Sequence, residues 1–115
     1  MTKANISPLV ESPTLEGLMD VFNVLSKPDA MTIFLLAKNG LEAETDAPAK
    51  IGLTRKQYYT RLKQLVDLEL IERTEGKYYH TTLGSLIYSK HIVELSNTLT
   101  HKKELKIVDV LKKSS

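Results

Sequence analysis

Arg55, Lys56, Gln57, Tyr59, Thr60 and Lys63 fall within nine consecutive residues, in a segment (53–64) that holds four bases and no acid. Their chemistry is shared. Guanidinium and ammonium groups neutralise phosphate oxygens, while amide and hydroxyl groups reach the hydrogen-bonding edges of bases. A carboxylate among them would be repelled by the same phosphates. The flanking segments are acidic: residues 25–52 carry three lysines against four acids, and 65–82 carry two bases against four acids. The net charge of +2 is too small to indicate a partner, so the local contrast is the informative feature. A solvated helix face also produces four-charge clusters, and the elements around the cluster must separate the two readings.

The cluster lies on a helix expected from Thr54, its cap, to about Glu69. Tyr58, Leu62 and Leu65 fall within about 60° of each other on a helical wheel and form its inward stripe. Lys56, Thr60 and Lys63 fall opposite, with Gln57 and Tyr59 flanking them. Arg61 lies to the side, where it pairs with a phosphate or an acid. Upstream, Thr14 caps a helix to about Leu25 with an apolar face of Leu15, Leu18, Met19, Phe22 and Leu25. Pro28 and Asp29 open a second helix, about 28–38, apolar almost all round and therefore central to a core. Asn39-Gly40 stops it. Residues 41–46 read as a polar link, and Asp46 with Pro48 suggests a short helix near 47–51.

Downstream, two short runs flank Glu75-Gly76, with Gly76 supplying the positive φ of a hairpin. Alternation turns one of Tyr78 and Tyr79 inward and leaves the other covering the hairpin. Thr82 caps a last helix. Tyr88, Ile92, Leu95 and Leu99 recur along it at spacings of 4, 3 and 4, a coiled-coil-like seam suited to pairing with a second copy. The alternative is that this stripe folds back on the first helix. The seam breaks at Thr100-His101-Lys102, and a kink or separate helix follows over about 102–113.

Composition bounds the rest. The chain of 115 residues, 42% hydrophobic and 26% charged, suits one soluble globular domain. There is no cysteine, so no disulfide, thiolate metal site or cysteine nucleophile is available. No apolar run approaches a signal peptide or a membrane span, and a cytoplasmic protein is expected. No phosphate-binding glycine loop or nucleophile–base motif is present. Glu42, Glu44 and Asp46 read as solvated turn acids, and an enzyme is not expected.

The ordered set of motifs resembles one family. Leu25-Ser26-Lys27-Pro28-Asp29, the stretch from Leu53 to Leu65, Leu70-Ile71, and Lys77-Tyr78-Tyr79-His80-Thr81-Thr82-Leu83-Gly84 resemble the arsenic-repressor-like (ArsR-like) transcriptional regulators, archaeal in style. The resemblance covers about residues 14–95. It implies a mainly α fold with a small β-hairpin wing, a winged helix-turn-helix with a long C-terminal helix. The expected organisation is a tail over 1–13, the winged domain over 14–90 and a helical extension over 91–115 that dimerises.

It further implies that Thr54, Arg55, Lys56, Gln57, Tyr59, Thr60 and Lys63 face double-stranded DNA, with Arg73 and Lys77 as the wing's phosphate ligands. The expected function is sequence-specific regulation of transcription. The alternatives are a winged-helix module for protein assembly and a chromatin-like protein that coats DNA. Ala47-Pro48-Ala49-Lys50-Ile51-Gly52 departs from the family in being short and proline-bearing. So does the family's zinc site. Ser89-Lys90-His91 and His101-Lys102-Lys103-Glu104 lack its aspartate, and the two histidines are 10 residues apart instead of 11. No metal and no cofactor are expected, and His80, His91 and His101 read as ordinary histidines.

Overall fold

A computed structural model describes residues 14–43 and 47–114. The tail expected over 1–13, and Asp46 of the pair expected to mark the short helix, lie outside them. The elements run α1 (Thr14–Leu25), α2 (Pro28–Leu36), β1 (Leu41–Glu42), α3 (Ala47–Lys50), α4 (Arg55–Asp67), β2 (Ile71–Thr74), β3 (Lys77–His80) and α5 (Thr82–Leu86). A π-helical stretch (Ile87–Ile92), α6 (Val93–Thr100) and α7 (Lys102–Ser114) complete a mainly helical chain.

The core lies between α2 and α4. Ala30, Ile33, Phe34 and Ala37 meet Tyr58, Leu62 and Leu65, and Leu70, Ile71, Val24 and Leu25 close the sides. The α4 stripe is the one its spacing predicts. Pro28 stands at the start of α2, where its missing N–H costs nothing, and the Asp29 carboxylate accepts from the Ala30 N–H at 2.8 Å. Contrary to expectation, α2 is not enclosed all round: Leu35 and Leu36 are exposed. Nor does α1 bury the whole face its periodicity marks. Leu25 is buried, but Met19 and Phe22 are 55% and 58% exposed.

The ends of α4 are fixed by local chemistry. Thr54 accepts from the Gln57 N–H at 3.1 Å, and the Gln57 side chain accepts from the Thr54 N–H at 2.9 Å, a reciprocal capping box. At the other end Glu69 adopts φ 62°. Its N–H bonds to the Val66 carbonyl, and the Leu70 N–H bonds to the Leu65 carbonyl, with both leucines buried. This is a Schellman motif whose left-handed position, normally glycine, carries glutamate. A side chain there costs roughly 1–2 kcal/mol, part of which glycine returns through its freer unfolded state. Glu69→Gly should therefore stabilise the protein by about 1 kcal/mol. Urea unfolding checks this; an unchanged or lower midpoint at constant slope refutes it.

The polar link expected over 41–46 is in part a strand. β1 pairs antiparallel with β3 (Leu41 opposite Tyr78, Glu42 opposite Lys77), giving a three-stranded sheet of order β1-β3-β2. Two residues are too short for alternation to reveal. The strand is held from outside: the Tyr58 hydroxyl donates to the Glu42 carbonyl at 2.7 Å, and the Tyr59 hydroxyl to that of Ala43 at 3.3 Å. Burial first, then the neighbouring Tyr59, Tyr78 and Glu42, push the Tyr58 phenol up to about 12, so it stays a donor. In the β2–β3 hairpin both Glu75 (φ 51°) and Gly76 (φ 80°) are left-handed, the pattern of a two-residue turn matched to strand twist. Tyr78 is half-buried against the core, while Tyr79 lies outside with its ring over Gly40.

Thr81, not Thr82, caps α5. It accepts from the Gly84 N–H at 3.0 Å and donates to the Glu69 carbonyl at 2.6 Å, tying α5 to the end of α4. The π-helical stretch then shifts the phase of the following helix. The expected seam divides in burial. Tyr88 and Ile92 pack on their own core, Tyr88 edge-on to Phe34, whereas Leu95 and Leu99 are exposed. The helix breaks at His101, and α7 follows as a separate helix.

Candidate nucleic-acid interface

The side chains expected to act together are carried on α4, which is locked on its inner side by Tyr58, Leu62 and Leu65 and at its start by the capping box. Lys56, Thr60 and Lys63 line the exposed ridge opposite that stripe. Arg55 and Lys56 stand in the first turn, which has no acid, and are exposed. Among the described residues neither forms an ion pair, and the Thr60 hydroxyl makes no hydrogen bond. Lys63 contacts Asp67 at 2.9 Å, but both side chains are largely solvent-exposed, and such a pair is worth little against a phosphate partner.

Three expected members are placed differently. Tyr59 is half-buried, edge-on to Tyr58 with ring centres 5.3 Å apart, and its hydroxyl serves β1. Gln57 and Thr54 are exposed, but the Gln57 amide oxygen and the Thr54 hydroxyl are used in the cap. A glutamine that reads adenine needs both its donor and its acceptor. While the cap holds, the Gln57 amide oxygen is turned to the Thr54 N–H, and its NH2 is the freer group. The Thr-x-x-Gln spacing signals this box in the sequence.

Arg61 pairs with an acid. Its Nε donates to the Asp29 carboxylate at 2.8 Å, and its Nη1 to the Gln64 amide oxygen at 3.0 Å. Burial pushes the Asp29 carboxyl up. The Arg61 hydrogen bond, the Ala30 N–H, the Arg61 charge and its own backbone N–H outweigh that and hold it below its ordinary value. The pair fastens α4 to the start of α2, so one of the segment's four bases is structural. It joins residues 32 apart in sequence, beyond what local spacing reveals.

On the hairpin, Arg73 is exposed and has no ion pair among the described residues. Lys77 lies 3.3 Å from Glu42, half-exposed. β1 therefore brings an acid to one of the two cations expected to hold phosphate.

The histidines are engaged separately. His80 stacks on Phe34 with ring centres 4.5 Å apart, its Nε2 bonded to the Phe34 carbonyl at 2.7 Å. His101 Nδ1 lies 2.8 Å from the Asn97 carbonyl, and His91 is exposed. Among the described residues no three His, Cys, Asp or Glu side chains gather as metal ligands, and no helix is long and apolar enough to cross a membrane. In comparison with known proteins, no family model matches the chain, and neither a curated protein nor a solved structure gives a significant match.

Proposed function

We propose that this chain is a winged helix-turn-helix protein that binds double-stranded DNA as a homodimeric transcriptional regulator. In this reading α4 lies in the major groove and β2–β3 forms the wing. The observation that supports it most is the asymmetry of α4. One side is immobilised by buried Tyr58, Leu62 and Leu65, while the other presents Lys56, Thr60 and Lys63 to solvent, with Arg55 exposed at the helix's first residue. A major-groove helix needs this combination: a rigid anchor, cations for the backbone, and hydroxyl or amide groups for base edges. The Arg61–Asp29 pair supports the same reading, because it fixes the helix's position without occupying the outer ridge.

Arg55, Lys56 and Lys63 are then the backbone ligands, and Thr60 with the Gln57 NH2 contacts bases. Arg73 is the wing's better phosphate ligand, since Lys77 already has Glu42 beside it. Four phosphates per subunit make about eight per dimer, for which log K should fall with log salt at a slope near −7. Titration of a labelled 30-base-pair duplex by fluorescence anisotropy over about 50–300 mM salt measures it. Sequence reading further requires a selected site to bind at least about 10³-fold tighter than a scrambled duplex. No binding at low salt defeats the proposal. Equal affinity for every duplex replaces sequence reading with coating.

A further inference from the structure

Of the sixteen large apolar side chains that are exposed among the described residues, twelve lie on α1, α5, α6 and α7. They form two complementary features. The first is an apolar groove of about 760 Å³ between α1 on one wall and the π-helical stretch with α6 on the other, lined by Leu18, Val21, Phe22, Met31, Ile87 and Leu95. The second is α7. Leu105, Ile107, Val108, Val110 and Leu111 spread over about 220° of its wheel. Each is 45–63% exposed, and no residue of α7 is buried.

We infer that the groove of one copy receives α7 of a second copy, each donating its last helix and accepting its partner's. This deepens the homodimer in the proposed function and rests on that part of it alone, independently of DNA. Three observations select this occupant. The lengths agree: α1 has 12 residues and α7 has 13, about 18 and 20 Å of helix. The charges agree: α1 carries Glu16 and Asp20 with no base, whereas α7 carries five lysines against Glu104 and Asp109. On the other wall Lys90 and Glu94 offset each other. Finally, the chain's own α7 is barred from the groove. It follows α6, one of the walls, after the single residue His101, and antiparallel helix pairs need connections of about 2–8 residues. A reciprocal exchange about a two-fold axis closes the assembly and covers both apolar faces.

Sedimentation equilibrium over about 0.5–50 μM tests this. The wild type should be dimeric. Val108→Asp/Leu111→Asp, at solvent-exposed positions of α7, and separately Phe22→Asp, at an exposed position of the groove, should each raise the dimer dissociation constant roughly 100-fold or more with unchanged helicity by circular dichroism. Mixed together, the two variants should recover a heterodimer, because one intact helix then meets one intact groove. A monomeric wild type at 50 μM overturns both the exchange and the dimer. A dimer that survives the α7 variant overturns the exchange alone and leaves a dimer built on another surface.

Discussion

Gly84→Ala should cost about 3 kcal/mol or more and, in a protein this small, leave a substantial unfolded fraction. A β-carbon at Gly84 would overlap the Leu70 carbonyl oxygen and stand 2.9 Å from its carbon. A side chain in the way could rotate aside, but this is backbone held at both ends. The Leu70 N–H closes the end of α4 on the Leu65 carbonyl at 3.0 Å, and the Leu70 oxygen accepts from the Thr81 N–H at 3.1 Å. Any shift that admits a methyl group must open one of these bonds or lift α5 from the core. Overpacking costs roughly 1–3 kcal/mol, and a buried carbonyl left without its donor adds about 1–3 kcal/mol. Gly17→Ala supplies the control. Its β-carbon meets nothing within 4 Å on the exposed N-terminal part of α1, so it should gain roughly 0.5–1 kcal/mol from helix propensity. Urea unfolding of both variants decides: a Gly84→Ala protein as stable as wild type removes the close approach of α5 to Leu70.

That approach marks a boundary of what the sequence discloses. Periodicity and capping chemistry act between residues three or four apart, and they identify α4, its buried stripe, its Thr54 cap and the β2–β3 turn. Gly84 is different, because its reason for being glycine is a carbonyl fourteen positions earlier. The same holds for β1, a two-residue strand held by Tyr58 and Tyr59 from α4, and for Arg61, fixed by Asp29 from α2. Within the candidate site, Lys56, Thr60 and Lys63 were legible because the wheel alone sets the ridge. Tyr59 was not, because whether a flanking residue faces solvent depends on what packs beside it. The seam of the last helix is divided in burial. Its spacing assumes a continuous α-helix, whereas Ile87–Ile92 is π-helical, and Tyr88 and Ile92 pack on the chain's own core while Leu95 and Leu99 remain outside.

Arg55→Glu/Lys56→Glu should abolish most duplex affinity without harming the fold. Both positions are exposed and outside the Tyr58-Leu62-Leu65 stripe, the capping box and the Arg61–Asp29 pair. They occupy the first turn of α4, where the helix dipole favours carboxylates, so the change should be neutral to slightly stabilising, by a few tenths of a kcal/mol. At the proposed interface the sign is opposite. Each subunit loses two of its four backbone cations, and a dimer falls from about eight phosphate contacts to about four. At 0.1 M salt each contact is worth roughly eightfold in affinity, so binding should weaken by about 10³-fold or more, and the slope of log K against log salt should flatten from near −7 to about −4. The loss should be similar on selected and scrambled duplexes, because the backbone is common to both. Thr60→Ala should differ. If its hydroxyl contacts a base edge, it should weaken the selected site by roughly 1–3 kcal/mol and leave scrambled duplexes unaffected. A folded double-reversal variant that binds duplex DNA as tightly as wild type at low salt would remove α4 from the interface and leave its bases as a solvated face.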